Sequence, residues 1–497
     1  MHDFALSLLL LGALSSGNQL PFWATSNQFG LMPEGSGGLA LLQAGTQYDL
    51  SKEFQWKWGL SLAGNADSRT ADFSAMVDEL YGSARWKALR LDVGMKHVDT
   101  EFWGAGMRSL GSMSATGGHV AWSGNARTMP GYLATLDPVP IPLTRKIMWI
   151  RGAFGDYKTL DNRYVKGALV HRTQIYFLFK ITKRLDFQFG LDHIALWGGT
   201  SPGEGAIPVT FDNYFRVITG RSASSKGTLN DQLNVIGDQR GGGLYRFDWR
   251  GDGWKIILQR DFPYDDGSGM SGLQNFPDGA HTFWFGWDNK DRWVSDIVYE
   301  YHYTMKQSGT YHARPTTEEE RKTLDPKDQY HYWNHVYGGV DNYFNHSAYK
   351  SGWTYYGRCI GDPLFFPVGT RAGTWTGKEL VMGIESNRFK AHHFSISGKA
   401  FKRLPYKLML TYSQNYGRYA APYEGESQWL KPWGTVKETP LHQVSGALVG
   451  EIPFQATGFI RPDSAFRHLT LTYGLYADRG QLLPDVFGGT LGLRWDL

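Results

Sequence analysis

The chain has a single cysteine, Cys359, in 497 residues. One thiol excludes an intramolecular disulfide and a cysteine-rich metal site. Clustered positive charge is also lacking: the net charge is +4 and the lysines and arginines are scattered, which argues against a nucleic-acid-binding protein. No stretch of about 18–20 apolar residues exists, so the sequence has no candidate transmembrane helix.

Signatures of catalysis are missing as well. The sequence contains no H-E-x-x-H or P-loop pattern. His392 and His393 are adjacent, so on a strand they would face opposite ways and could not share a metal ion. His331 and His335 fall in a polar stretch without an accompanying carboxylate pattern. We therefore expect no enzyme activity, no metal site and no cofactor.

Glycine and aromatic residues, in contrast, are abundant. The chain has 61 Gly, 19 Trp, 27 Tyr and 28 Phe, yet its mean hydropathy is only −0.38. A helical membrane protein would be more hydrophobic, and a soluble domain would rarely carry so many aromatic side chains. An outer-membrane β-barrel explains both facts, because its strands are apolar only at every second residue and its two interfaces collect aromatic girdles.

Alternation with a period of two recurs along the chain. In residues 185–192, leucine and phenylalanine alternate with Asp, Gln and Gly, and segments 54–62, 89–97, 406–413 and 468–476 show the same pattern. A soluble β-sandwich gives the same alternation, but sandwiches seldom reach this length without a domain break. We therefore predict one all-β domain, residues 1–497, that forms a transmembrane outer-membrane β-barrel of antiparallel strands.

The length of the chain predicts roughly 16–20 strands, at about 25–30 residues for each strand and its connection. Residues 100–142 do not alternate and are rich in Gly, Met, Ser and Pro. We predict that they form an internal segment that plugs the lumen, rather than membrane strands.

Both ends of the chain have the pattern of strands. The last residues, TLGLRWDL, alternate up to Leu497 and resemble the C-terminal signal read by the outer-membrane insertion machinery, although Leu497 replaces the usual aromatic residue. Residues Phe4–Leu14 could be the core of a secretion leader or a first strand that pairs with the last. A leader needs a positively charged start, which is missing here, so we favour the strand, although Leu9 and Leu11 break its alternation.

Four glycine-rich turns, residues 122–131, 196–205, 230–243 and 349–363, combine polar and aromatic side chains. Sugar recognition needs many donors and acceptors for the hydroxyls and an aromatic platform for the apolar ring face. Barrel interiors contain the same residue types, so a role in lining the lumen is an equal alternative. The candidate glycan-binding or lumen residues are Asn125, Arg127, Trp197, Glu204, Asn230, Asp231, Asp238, Trp353, Tyr355, Arg358 and Asp362.

These turns resemble, in the same order, motifs of the Wzi family of outer-membrane capsule-assembly proteins. The motif N-A-R-x-x-P-G corresponds to Asn125–Gly131, and the motif S-G-Y-x-Y-x-G-R-x-x-G corresponds to Ser351–Gly361, with Trp353 in place of the first tyrosine. The turn Trp197–Gly205 resembles the family's Gly- and Glu-containing turn, and Asn230–Gly243 resembles its N-x-x-x-x-G-D-type segment.

The resemblance implies an 18-stranded barrel in the outer membrane of a Gram-negative bacterium. It implies a lectin without catalytic activity that helps to assemble or anchor capsule at the cell surface. The partners would be capsular or other surface polysaccharide, outer-membrane lipid and lipopolysaccharide. A porin-like diffusion channel or a polysaccharide-export channel is the alternative, and it needs an open lumen lined by charges.

Two arginines are expected to have different roles. Arg127 lies in a segment bounded by Gly and Pro, so it should point into the barrel and fix the plug by contacts with inward carboxylates. Arg358 follows Trp353, Tyr355 and Tyr356, so it should reach an acidic sugar beside an aromatic platform.

Overall fold

The computed structural model describes most of the chain. The described residues are 4–97, 120–223, 235–265, 275–309, 312–314, 317–323, 336–338, 341–369, 383–426, 437–457 and 464–497. Among them, no helix combines the length and the apolar character that a membrane span requires.

Eighteen antiparallel strands form one closed barrel, and each strand pairs with its neighbours in sequence. The first strand also pairs with the last, from Ser7 opposite Asp496 to Ser15 opposite Gly488, which closes the ring. The fold class, the strand count and the strand predicted at Phe4–Leu14 are thereby confirmed. The strands are β1 Phe4–Ser15, β2 Gly37–Thr46, β3 Phe54–Asp67, β4 Asp72–Trp86, β5 Leu89–Met95, β6 Pro130–Pro140, β7 Met148–Lys158, β8 Leu169–Lys180, β9 Leu185–Trp197, β10 Asp238–Arg250, β11 Trp254–Asp265, β12 Gly279–Trp287, β13 Asp296–Tyr303, β14 Arg388–Ala400, β15 Leu404–Gly417, β16 Leu441–Pro453, β17 Leu469–Gly480 and β18 Val486–Asp496.

The two faces of the wall differ as the alternation predicts. On β9, Leu191 is exposed on the outer face and Asp192 is buried on the inner face. On β1, Leu10 and Leu14 are exposed outside, whereas Leu9 and Leu11 pack inside the barrel against other apolar side chains. The two leucines that break the alternation of β1 therefore face an apolar filling rather than water.

The connections between strands differ in length at the two ends of the barrel. Residues 16–36, 96–129, 198–237 and 304–387 connect strands at one end, which we name the loop end. The opposite end, the turn end, has short connections such as 87–88, 251–253 and 401–403. In outer-membrane barrels the long loops face the outside of the cell and the short turns face the periplasm.

Three segments from the loop end fold into the barrel and form what we call the plug: residues 16–36, 120–129 and 341–369. Asn65 on β3 donates to Leu31 O at 3.1 Å, and the Val120 N–H donates to Asp261 Oδ2 on β11 at 2.6 Å. These two strands are nearly opposite each other in the ring. The plug therefore bridges the lumen from wall to wall.

The structure contradicts part of the internal segment predicted at residues 100–142. Residues 120–129 belong to the plug, but Pro130–Pro140 is the wall strand β6, paired with β5 and β7. The prediction is wrong for that strand, and residues 100–119 lie outside the described part of the chain.

Short helices and short two-stranded pairs occur in the connections between barrel strands. Among the described residues the helices are α1 Phe22–Thr25, α2 Phe211–Ile218, α3 Glu318–Thr323 and α4 Phe454–Thr457, and Ala465–His468 is a 3₁₀ helix. In the described part of the chain, four two-stranded pairs lie outside the barrel sheet: Thr200–Ser201 with Gly205–Ala206, His312–Arg314 with Val336–Gly338, Thr354–Tyr355 with Arg358–Cys359, and Phe366–Pro367 with Ile384–Ser386.

Candidate functional site

A cavity of about 470 Å³ opens at the loop end, between the plug and the surrounding connections. This volume is typical of sites that bind small molecules. Aromatic side chains, two arginines and two carboxylates share its walls. The lining residues are Gln19, Leu20, Phe22, Thr25, Glu34, Arg69, Arg127, Asp161, Asn162, Tyr356, Gly357, Phe366, Pro367, Val368, Gly369 and Leu483.

A tight hairpin places Tyr356 in the cavity wall. Tyr355 pairs with Arg358, so the turn between the two strands consists of Tyr356 and Gly357 alone. Both residues have positive φ angles, 47° and 77°, as a two-residue hairpin of type I′ requires. The buried Arg163 fixes the base of the hairpin, because its guanidinium donates to Gly352 O at 3.0 Å and to Thr354 O at 3.1 Å.

Arg127 extends across this tyrosine. Its guanidinium carbon lies 4.4 Å from the centroid of the Tyr356 ring. Within the part of the chain that the structure describes, the side chain has no hydrogen bond and no ion pair. Burial lowers the pKa of Arg127, and the neighbouring Arg358 acts in the same direction. A half-buried guanidinium without a carboxylate partner is suited to an anionic ligand.

Arg358 has the structural role that was expected of Arg127. Its Nη1 donates to Thr25 O at 3.1 Å, and its Nη2 forms a short ion pair with Glu34. Both partners belong to the segment 16–36, so Arg358 ties the hairpin to the rest of the plug. The carboxylate contact expected of Arg127 is therefore wrong, and the structure places Arg127 rather than Arg358 in the cavity.

Asp161 supplies a carboxylate to the same wall. Its Oδ2 accepts from the Tyr356 N–H at 3.2 Å, and its Oδ1 lies 3.7 Å from Arg163 Nη1. Burial raises the pKa of Asp161, and this effect outweighs the nearby Arg163 guanidinium. Among the described residues Oδ1 has no hydrogen-bond partner, so the carboxyl group keeps an unused acceptor next to the cavity.

The other predicted residues of the plug make internal contacts. Asn125 Nδ2 donates to Cys359 O at 3.0 Å, and the indole of Trp353 donates to Ala121 O at 2.6 Å. Asp362 Oδ2 pairs with His302 Nδ1 at 2.6 Å, and Tyr355 is buried. These side chains hold the segments of the plug to each other and to the wall, and none of them lines the cavity.

The remaining predicted residues are scattered. Asp238 faces the lumen on β10 and forms a buried ion pair with Arg240. Trp197 lies on the outer face of β9 beneath α2, so neither a lumen nor a cavity role fits it. Glu204 is exposed in the turn between Thr200–Ser201 and Gly205–Ala206. Asn230 and Asp231 lie outside the described residues.

Sequence reasoning missed most of the cavity wall, including Glu34 and Asp161, whereas Tyr356 belongs to the aromatic platform expected beside Arg358. Only for Tyr356 does the sequence carry a local signal, because Gly357 directly after it readily adopts the positive φ angle that a tight turn requires. The others come from connections far apart in the chain, and their convergence depends on the barrel.

Asp78, Glu79 and His97 form a second polar group inside the wall. A bulge in β4 opposite Ser61 and Leu62 turns the adjacent Asp78 and Glu79 to the same side. His97 Nε2 lies 2.6 Å from Asp78 Oδ1, and its Nδ1 lies 3.8 Å from Glu79 Oε2. Because the two ring nitrogens face different carboxylates, the group clamps the ring instead of directing one nitrogen at a shared ion.

The chain is similar to the solved structure of Wzi, an outer-membrane protein of Escherichia coli involved in group 1 capsule assembly and described as a carbohydrate-binding β-barrel. The identity is 14% and the TM-score is 0.53, over 99% of this chain and 84% of that chain. The likeness shows the fold of an outer-membrane β-barrel. No protein-family model and no curated protein sequence matches the chain.

Two further solved structures are similar over the whole chain. OccK5 (OpdH) of Pseudomonas aeruginosa has 8% identity and a TM-score of 0.45, over 100% of this chain and 98% of that chain. OccK9 (OpdG) of the same organism has 11% identity and a TM-score of 0.46, with the same coverage.

Proposed function

We propose that the protein is a lectin-like component of the Gram-negative outer membrane that binds a surface polysaccharide in the cavity at the loop end. The observation that carries this proposal is the guanidinium of Arg127, which has no ion pair among the described residues and lies above the ring of Tyr356. The bound glycan carries an acidic group, its acidic sugar pairs with Arg127, and an apolar sugar face packs on the aromatic side chains of the wall. Binding is not followed by catalysis.

The position of the cavity supports a role at the cell surface. Its lining residues come from the connections that face outward in barrels of this type. The polysaccharide is therefore met from outside the cell, and the protein helps to assemble or anchor capsule there. Wzi, the carbohydrate-binding barrel of similar fold, is involved in capsule assembly in its own organism.

The contacts of the plug favour this role over a diffusion or export channel. The Phe22 N–H donates to Asp478 Oδ2 on β17 at 2.7 Å, and the Trp23 indole donates to Thr411 Oγ1 on β15 at 3.0 Å. Together with the contacts to β3 and β11, they hold the plug on several sides of the ring. A fixed plug suits a surface-binding protein and obstructs free diffusion.

The first prediction tests the binding site directly. Arg127→Ala should weaken binding of acidic capsular oligosaccharides by about 10–150-fold, because a charge-assisted contact contributes about 1.5–3 kcal/mol. The melting temperature should stay unchanged, since the guanidinium has no ion pair among the described residues. A glycan array followed by calorimetric titration of the purified protein measures both affinity and specificity.

The matched control is Arg184→Ala, which removes an exposed ion pair with Asp252 at the turn end. It should leave glycan binding unchanged. Failure of the wild-type protein to bind any surface polysaccharide would contradict the proposed function, and equal binding by Arg127→Ala would place the site elsewhere.

A further inference from the structure

Helix α2 packs on the outer face of the barrel, near the loop end of β8 and β9. Val217 of α2 clusters with Ala195 and Trp197. These two residues alternate along β9 with Ile194 and Leu196, which belong to the core inside the barrel. Helix α2, which lies in the connection 198–237, therefore packs on the outer face of the barrel wall.

A polar cluster lies beneath the helix. Asp156 of β7 accepts hydrogen bonds from the hydroxyl groups of Tyr132 and Tyr214, the latter at 2.5 Å, and its Oδ1 lies 2.9 Å from His171 Nδ1. Gln239 of β10 donates to Val217 O at 3.5 Å and to Ile236 O at 2.9 Å. Since lipid offers polar groups no partners, these contacts fix α2 to the wall and seal the cluster from the membrane.

The opposite face of α2 is apolar and uncovered within the described structure. Phe211 is 86% exposed and Phe215 is 53% exposed, and Val209, just before the helix, is 55% exposed. Asp212 and Arg216 form an ion pair along the helix at 2.9 Å. Apolar and charged side chains on different sides are typical of helices that lie in a membrane interface.

The position of α2 along the wall matches the edge of the membrane. A tilted barrel strand rises by about 2.6 Å per residue, so an apolar band about 25 Å tall covers about 10 residues. Strand β9 has 13 residues. If the band begins at the turn end, near the exposed Trp249, it ends close to Ala195, where α2 is attached. The apolar face of the helix then continues the outer row that contains Ile175 and Leu191.

We infer that α2 is an interfacial helix whose apolar face, Val209, Phe211 and Phe215, inserts into lipid of the outer leaflet. The helix extends the lipid contact of the barrel beyond the ends of β8 and β9. It also holds one rim of the loop end at a fixed height relative to the membrane. This role is independent of the glycan-binding proposal, because none of its residues lines the cavity.

Spin-label accessibility tests the inference. A nitroxide is attached to Phe211→Cys, Phe215→Cys or Val209→Cys in a Cys359→Ala background, and the full chain is reconstituted in phosphatidylcholine–phosphatidylglycerol vesicles. Leu191→Cys, on the lipid-facing row of β9, is the membrane reference. Glu204→Cys, exposed on the same connection as α2, is the water reference.

The three test positions should collide more with oxygen than with a water-soluble nickel chelate, as Leu191→Cys does. A collision ratio like that of Glu204→Cys would overturn the inference. Shielding from both reagents would overturn it as well, because it would show protein rather than lipid on this face. Heat-modifiable migration on a gel confirms that each labelled barrel is folded, and three independent positions keep the test decisive if one variant fails.

Discussion

Arg127 and Arg358 differ in what surrounds their guanidinium groups. Arg358 meets Glu34 and Thr25 O, which arrive from a segment more than 300 positions away in the chain. Among the described residues, the Arg127 guanidinium has no hydrogen bond and no ion pair, and it lies over the ring of Tyr356. The sequence shows both arginines beside aromatic and glycine residues, so their roles depend on contacts that only the folded barrel creates.

Loss of Arg358 should destabilise the plug. Arg358→Ala removes the charge-assisted contacts with Glu34 and Thr25, which contribute about 1.5–3 kcal/mol for a partly buried group. We expect a lower melting temperature in a heat-modifiability assay. Arg358→Lys should recover part of the loss, because an ammonium group can replace one of the donors. An unchanged melting temperature in Arg358→Ala would show that the hairpin is held by other contacts.

The charge on Asp161 should make glycan binding depend on pH. Burial raises its pKa, so the group changes from neutral to negative at a higher pH than an ordinary aspartate does. As the pH rises through that raised pKa, the new charge repels an acidic sugar at Arg127 and binding weakens; as the pH falls, binding tightens. Affinity measured across the acidic to neutral range in Asp161→Asn should lack this dependence. An identical pH profile in wild type and variant would argue against a site beside Asp161.

Strand β6 shows why one wall element was missed at the sequence level. Pro130, Pro138 and Pro140 lie in or at the ends of this strand, and proline normally argues against a strand because it cannot donate to the ladder. The pairing with β7 is also irregular between Leu136 and Val139. The irregular pairing accommodates the prolines, whereas strands such as β9 show their alternation directly in the sequence.

Helix α2 should loosen when its hydrogen bond to the wall is removed. Tyr214→Phe eliminates the hydroxyl group that donates to Asp156 Oδ2, which contributes about 1.5–3 kcal/mol to local stability as a bond to a charged group. Amide hydrogen exchange should become faster in residues 211–218 while the barrel strands keep their protection. Tyr299→Phe, at a tyrosine bonded to His392 on another part of the outer face, is the control. Equal protection of α2 in both variants would show that the Tyr214–Asp156 hydrogen bond does not hold the helix.

Closure of the lumen is a property of the whole molecule. The plug contacts β3, β11, β15 and β17, so purified protein in a planar bilayer should show no steady conductance. Asp478→Ala removes the acceptor of the Phe22 N–H and should give brief openings. Asp252→Ala, at an exposed turn, should not. Stable porin-like conductance of the wild-type protein would favour the channel alternative.

The sequence predicts the barrel far better than it predicts the site. Alternation is a local property, and each lipid-facing row is visible in a few residues, as in Leu185–Leu191. The cavity joins side chains from several connections, such as Glu34, Arg127 and Asp161. Leu9 and Leu11 illustrate the difference. They break the alternation of β1, and the reason is visible only in the structure, where they contact the apolar plug.

The pairing of β1 with β18 also affects the order in which the barrel assembles. The Ser7 hydroxyl donates to Asp496 Oδ1 at 2.7 Å, although the two residues are 489 positions apart. Because β1 is synthesised before β18, the edge of β1 that pairs with β18 stays uncovered until β18 has been made. During that interval β1 presents a leucine-rich, unpaired edge that can join a strand of another chain. Contacts so distant in sequence form slowly, so the safe assembly of this protein depends on protecting its earliest strand until its latest one arrives.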